Sequence, residues 1–476
     1  MLCSVLDSGQ IKRIHEASLS ILERVGVAVP HDDMLSRFAD AGAKVDFAGK
    51  RVRIAPDLVM RLLGSAGKNF TLYGRDMNRT ARFGEGRRNY NSTAGEAMWV
   101  EEIGGQRRYA SLDDVRAATR LGDALDQINM PGAMADPHEI PVQWRCVAVL
   151  AEMIRNTTKP VTFWFHDRRS ARFIVEILAA LRGSEANAAR QPVCYPLFEP
   201  ISPLRFPFNG IDLLYETARL NVPVPIGPMA QMGMSAPATV AGAMAQENAE
   251  ILAGICVTQL IRPGMPVCYG GICHCFDMAK TQLIFAGPEQ AIFGVAMTQM
   301  GRHYGLPVYV NSGLTDSKCV DAQAGLEVGM TLILSAAAGA DIFGHMGISG
   351  VDQAASLDML VMQNEMISYV ESVMRQMDFS DDALGISTIE DVGPGGSFIA
   401  TTHTAEHFRR EMWFPRLLDR NFYQAWLDAG AGDMQQRCRA RKEEILAGHQ
   451  VQPVPPELDR ALSEIVSAAQ RQLGRQ

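Results

Sequence analysis

A closed (β/α)8 barrel, the TIM-barrel architecture, is the α/β fold class predicted here from three observations. Eight short apolar runs recur from residue 128 to about 402, at 128–136, 160–166, 192–199, 222–229, 266–274, 307–313, 340–347 and 396–403. Most begin at proline or valine and end at glycine, histidine or small polar residues. Between most of them lie roughly 20–40 residues with helical periodicity, such as 237–260 and 288–304. A strand buried on both faces reads as a continuous apolar run, and its eightfold alternation with helices points to a closed barrel. Function then belongs at the C-terminal ends of the strands.

The elements follow in order. The 476 residues exceed a bare barrel of about 250, so segments at both ends must decorate it. Residues 1–110 are expected to form a helical plus small β cap, 111–430 the barrel, and 431–476 a C-terminal helical tail. In the cap, IKRIHEASLSILERVG places Ile11, Ile14, Ile21, Leu22 and Val25 near one helical face, and a second helix is expected over 57–63. Residues 68–110 change to short segments punctuated by glycine, which read as a few antiparallel strands before a helix start at 111–114. The tail carries a charged helix at 435–444 and a proline-rich turn at 452–456.

A net charge of −8, with both signs interspersed and no basic cluster among aromatics, argues against nucleic acid and for a small neutral or cationic ligand. Nine cysteines at irregular positions suit a reducing compartment without disulfides. No signal-peptide pattern or membrane-spanning run is present, so a cytoplasmic protein with no membrane partner is expected.

Long motifs then narrow the function. RNTTKPV (155–161), ISPL (201–204), PIGPMAQMGMSAPATVAGAMAQENAEILAG (225–254), YGLPVYVNSGLTDSKCVDAQAGLE (304–327) and HTAEHFRREMWFPRLLDR (403–420) together resemble the trimethylamine:corrinoid methyltransferase family, in its non-pyrrolysine, glycine betaine branch. The likeness spans nearly everything after residue 110. It implies a barrel that presents a methylated amine to the Co(I) corrinoid of a separate small protein, with no cofactor bound permanently. The founding members carry pyrrolysine, whereas every position here is a standard amino acid. A tertiary amine would need activation, because an amide-like anion is a prohibitively poor leaving group. A quaternary ammonium leaves as a neutral amine, so glycine betaine or a related betaine is the expected methyl donor.

In-line transfer of this kind needs positioning and exclusion of water more than acid–base groups. A trimethylammonium head is held by ring faces through cation–π attraction, about 0.5–2 kcal/mol per ring. The strand ends supply Trp164, Phe165, Tyr195, Phe198, Tyr269 and Phe343, with Trp164, Tyr195 and Phe343 preferred, and the preceding domain supplies Tyr90 and Trp99. Alternation along a strand pairs Trp164 with His166, and Phe343 with His345, on one face. The betaine carboxylate needs donors at the far end. His345 is the first candidate, as the residue that orients the substrate, and His274 and Asn311 come next.

Other groups have competing readings. Asp316 and Lys318 read as a loop lock or an anion site, and Gln246, Glu247 and Glu250 as a solvated or packing helix face. His403, Glu406 and His407 match the H-x-x-E-H zinc-peptidase pattern, with Glu443 or Glu444 as the available third ligand. Cys273-His274-Cys275 reads as strand-end packing, and 136–141 as a near match to a cobalt-ligating D-x-H-x-x-G signature without its glycine. No metal site is expected. A non-catalytic quaternary-amine binding barrel is the remaining alternative. A homo-oligomer is expected, with the helix-rich N-terminal segment as a self-association surface.

Overall fold

The computed structural model describes residues 3–101 and 106–474. Four of the apolar runs become strands: Val224–Ile226, Val267–Gly271, Val308–Asn311 and Ile342–Met346, each buried at every position. They pair in parallel and in chain order, since β-branched runs with both faces covered by helices have no solvent face to alternate toward. A helix follows each strand: Val240–Ile261, Pro288–His303, Ala322–Ala338 and Leu357–Val373. The first of these is buried on nearly all sides, which explains why its sequence is apolar all round.

The fifth strand of this sheet is not the expected 396–403. That glycine-containing segment is exposed and leads into the helix Thr402–Glu411, capped by Thr401. Its place beside Ile342–Met346 is taken by Asn89–Ser92, which runs parallel and is wholly buried. This strand was expected among the antiparallel strands of the cap. Its sequence, NYNS, gives no apolar run, because its side chains meet polar partners: the Asn89 amide donates to the Arg82 and Asp341 carbonyls at 2.8 and 3.0 Å.

The runs 128–136, 160–166 and 192–199 lie alongside as single parallel bridges, Asn91 to Met130, Gly132 to Thr162 and Phe198 to Ile226. A hydrogen bond of 3.0 Å from Val161 N–H to Val193 O links two of them. Pro131, Pro160, Pro192 and Pro196 remove the donors that continuous ladders would need. Gly132 permits the close approach: a Cβ there would stand 1.9 Å from Thr93 O.

Small sheets close the ends. The hairpin Phe70–Tyr73 with Thr80–Phe83 stacks Phe70 on Phe83 at 4.3 Å and packs in one cluster with Met130, Tyr195, Cys268, Tyr309 and Ile342. Ile348–Ser349, Ala354–Ser356, Met98–Val100 and Arg108–Tyr109 form a second, mixed sheet. Residues 102–105 of that stretch lie outside the described residues. In the N-terminal region the helices Ser8–Arg24, Asp32–Asp40 and Pro56–Ser65 accompany a three-stranded antiparallel sheet. The helix Leu112–Ala124 starts at the expected point with a Ser111/Asp114 capping box. At the C-terminus, Met434–Gly448 packs on Leu357–Val373, and Pro456–Leu473 on Val142–Asn156 and Arg168–Arg182. No helix among the described residues is long and apolar enough to cross a membrane.

Candidate active site

Two of the expected site residues meet. The Trp164 indole Nε1 donates to Gly95 O at 2.8 Å, which fixes the ring at the end of its segment. The His345 ring meets Trp164 edge to face, centroids 6.1 Å apart, and approaches Tyr309 at 5.8 Å. His345 is only 8% exposed, and it makes no hydrogen bond among the described residues. Burial lowers its pKa to about 4, so the imidazole is neutral near pH 7, with one nitrogen as donor and the other as acceptor. Phe343 does not share its direction. A register shift between Phe343 and Met346 breaks the alternation expected of the strand, and Phe343 stacks on Tyr90 at 4.9 Å instead.

Three carboxylates border the same region. Glu96 follows Gly95 and accepts from Thr93 Oγ1 at 2.8 Å. Burial raises its pKa, and the neighbouring charges of Asp352 and Asp136 add to the rise. Burial likewise raises Asp352. Glu199 closes the run 192–199; its side chain is open to solvent although protein encloses the carboxylate on nearly every side, which places it in a recess. Burial first, then the charge of Asp352, pushes it up to about 7. Tyr309 in turn feels the charge of Glu199. Its hydroxyl sits beside the Asn91 amide, yet neither makes a bond of good geometry. A Cβ at Gly344 would overlap both, so glycine is required there. A cavity of about 600 Å³, lined by Gly95, Asp136, Trp164, Phe165, His166 and Asn209 among others, opens on the Trp164 side.

Of the remaining expected residues, Asn311 and His274 lie beside His345, Asn311 paired across the ladder with Gly344 and His274 feeling the His345 charge, and the others stand elsewhere in the packing. Tyr195 is buried with its edge to Phe83, Phe198 stacks on Phe206 at 5.2 Å, and Tyr269 donates to Asn248 Oδ1 at 2.8 Å. His274 stacks on Phe285 and stands 3.3 Å from Asn311; burial lowers its pKa to about 3. Tyr90 is tied to Glu371 through its hydroxyl, and Trp99 is buried. Glu96, Glu199, Tyr309 and Asp352 were not foreseen. Glu199 had a signal, as an acid closing an apolar run, as Asp136 also does; Asp352 sits in a loop with none.

The comparisons with known proteins decide the family. The family model described as Trimethylamine methyltransferase (MTTB) matches residues 1–474. The chain belongs to the trimethylamine methyltransferase family. It is 32% identical to the glycine betaine methyltransferase of Desulfitobacterium hafniense (strain Y51), over 99% of this chain and 98% of that one. It is 28% identical to the trimethylamine methyltransferase of D. hafniense (strain DSM 10664 / DCB-2), over 98% and 94%. In fold it is similar to the monomethylamine methyltransferase of Methanosarcina barkeri, at a TM-score of 0.55 and 9% identity over 99% of this chain and 88% of that one. The protein is accordingly an enzyme, a methyltransferase.

Several motifs of this trimethylamine methyltransferase family member hold the scaffold. In RNTTKPV, Thr157 Oγ1 and Thr158 N–H donate to Asp123, and Lys159 Nζ donates to the carbonyls of Gly122, Leu125 and Ile128 at 2.8–2.9 Å. Glu247 and Glu250 are buried rather than solvated. Glu247 accepts from Ile272 and Ala230 N–H, and Glu250 from Ser202 Oγ and Leu204 N–H, so the helix clamps loops at the strand ends. Asp316 accepts from Phe285 N–H and Lys318 donates to Asp316 O, a loop lock. The rings of His403 and His407 lie 4.2 Å apart, but His403 Nε2 bonds Asp382 O and His407 Nδ1 receives Arg410, while Glu406 is exposed. Cys273 is buried against Glu247, Asp136 pairs with Arg145, and His138 stacks on Tyr109. Among the described residues no group of three or more His, Cys, Asp or Glu is placed to hold a metal ion.

Proposed function

We propose that this methyltransferase takes a quaternary amine, glycine betaine or a related betaine, and delivers one methyl group to the Co(I) corrinoid of a cognate partner protein. The observation that carries the reading is the meeting of Trp164 and His345 at one recess, with Glu96 next to the Gly95 carbonyl that holds the indole. An indole face suits a permanently charged ammonium that donates no ordinary hydrogen bond. His345, neutral and unbonded, suits the substrate carboxylate as a donor. The displacement breaks one C–N bond, whose electron pair stays on a neutral tertiary amine, and forms one C–Co bond from the metal's electrons. Trp164 and His345 orient the donor carbon, and burial of the recess excludes water.

The scaffold is proposed to be a closed (β/α)8 barrel of eight parallel segments. Supporting this, the three bridged segments continue from both edges of the five-stranded sheet, from Asn89–Ser92 through Met130, Thr162 and Val193, and from Ile226 back to Phe198. The proposed organisation is a cap over 1–110, with Asn89–Ser92 contributed to the barrel, the barrel over 111–430 and a helical tail over 431–476. Nine free cysteines, most of them buried, and a reaction that consumes Co(I) both suit the reducing cytoplasm.

Purified protein with its cognate corrinoid protein and a reductant should consume glycine betaine or another quaternary amine and form methylcobalamin and the tertiary amine in equal amounts. Absence of turnover across a panel of quaternary amines, with trimethylamine active instead, would overturn the reading.

A further inference from the structure

We infer that Asn91, Tyr309 and Asn311 form a neutral polar floor behind His345 that receives the carboxylate of the substrate, so that the donor lies with its acidic end inward and its ammonium outward at Trp164. The inference rests on the quaternary-amine reading above and deepens it. The strands fix the placement. Val308 faces the helix Pro288–His303, where a Cβ at Gly301 would stand 2.5 Å from Val308 Cγ2. Alternation along Val308–Asn311 therefore turns Tyr309 and Asn311 to the opposite face of the sheet. This strand and Asn89–Ser92 flank Ile342–Met346 on either side. Asn311 pairs across the ladder with Gly344, and the Tyr309 hydroxyl and the Asn91 amide oxygen meet over the same glycine: a Cβ there would stand 2.1 Å from one and 2.6 Å from the other. The next residue in the chain is His345.

A second, independent observation is that these groups lack partners. Tyr309 Oη, both amide atoms of Asn91 and Asn311 Oδ1 are enclosed without a hydrogen bond among the described residues. The other amide atom of Asn311 stands 3.3 Å from His274 Nε2. Asn89, two residues before Asn91, is by contrast satisfied by two carbonyls. Enclosed polar atoms are ordinarily paired, and the interior of a parallel sheet wrapped by helices is ordinarily filled with branched apolar side chains. Four unpaired polar atoms in one place cost stability, and a polar ligand offsets that cost. Two amides and a phenol supply N–H and O–H donors for a carboxylate, and none of the three carries a charge. A lone anion would be costly to bury against them, whereas a zwitterion brings its own counter-charge.

His345 links the floor to the outer side of the recess. Its ring centroid lies 5.8 Å from that of Tyr309 and 6.1 Å from that of Trp164, and it is the most open of the four residues. The cavity of about 600 Å³ lies beyond, on the Trp164 side. A betaine whose carboxylate rests on the floor and His345 presents its N-methyl groups to Trp164 and that opening, the side from which the cobalt of a separate protein reaches one of them. Tetramethylammonium has no group for the floor, so Tyr309 and Asn91 set a preference for betaines over simple quaternary amines.

The test is binding titration of the full chain with glycine betaine and with tetramethylammonium, alongside thermal melts without ligand. Tyr309→Phe deletes a single enclosed, unpartnered oxygen. It should leave Tm unchanged or raise it, raise the Kd for glycine betaine about tenfold and leave the Kd for tetramethylammonium unchanged. Asn91→Ala should lower the ratio of betaine to tetramethylammonium affinity in the same way, whatever it does to Tm. Wild-type affinity for glycine betaine in Tyr309→Phe, or equal weakening toward both ligands, would overturn the floor. If both variants bind and demethylate glycine betaine as wild type does, the floor fails while the quaternary-amine reading stands; if wild type neither binds nor demethylates any quaternary amine, the reading itself fails.

Discussion

At the residue scale the recess depends on a few side chains held by backbone contacts. Trp164 is fixed by Gly95 O, so its face rather than its N–H is available to ligand. Replacing it by leucine removes a desolvated cation–π contact of about 1–2 kcal/mol, and the Kd for glycine betaine should rise roughly 5- to 30-fold. His345→Ala should raise the same Kd by about 10- to 100-fold through loss of a hydrogen bond to a carboxylate, while Tm falls only modestly because the imidazole loses ring contacts with Trp164 and Tyr309 but no hydrogen bond within the protein. Binding of tetramethylammonium, which has no carboxylate, should be little changed in that variant; a parallel loss would remove His345 from the tail. Glu199 also imposes a pH dependence. Its folded pKa of about 7 exceeds its ordinary 4.5, so its stabilising contribution is complete below about pH 4.5 and is lost as pH rises through 7. Thermal melts of the ligand-free protein should show Tm falling over that window, and Glu199→Gln should flatten the slope.

At the scale of elements, apolar patterning located the four fully laddered runs and the helices between them, because continuous apolar runs and 3.6-residue periodicity follow directly from two-sided burial. It missed Asn89–Ser92, whose buried side chains are mostly polar, Asn89 and Ser92 being hydrogen-bonded inside the protein, and it promoted 396–403, whose apolar character belongs to an exposed turn. The link between helix Leu112–Ala124 and the segment 160–166 rests on Lys159, whose ammonium ties together three carbonyls. Burial lowers its pKa to about 8, yet the three acceptors hold it in place. Lys159→Met should strand those carbonyls and cost about 3 kcal/mol, read as a lower midpoint in urea unfolding with an unchanged slope.

At the scale of the whole molecule, large apolar side chains on the surface concentrate in the C-terminal third. Met377, Phe379, Ile399, Phe422 and Tyr423 are each more than two-thirds exposed, and the helices Asp381–Leu384, Ile386–Val392 and Tyr423–Asp428 bury no residue. Such a surface is unfavourable in water unless covered. We propose that a second copy covers it. The first half of this segment carries Asp378, Asp381, Asp382, Glu390 and Asp391 without a lysine or arginine, and the second balances Arg409, Arg410, Arg416 and Arg420 with Glu406, Glu411, Asp419 and Asp428, so the apolar side chains rather than charge would hold such a pair. Light scattering should show a homo-oligomer, and the pair Phe379→Asp with Ile399→Asp should shift it to monomer.

The sequence by itself determined the α/β class, the family through its long motifs, and the presence of Trp164 and His345 at segment ends, since each is written in local order along the chain. Only the tertiary structure decided that these two rings meet, that Phe343 turns away from them, and that the charge of Asp352 reaches both Glu96 and Glu199. The physical reason is that charge convergence and burial arise between segments far apart in the chain. A register shift within one strand, invisible to periodicity, then selects which side chain faces the recess.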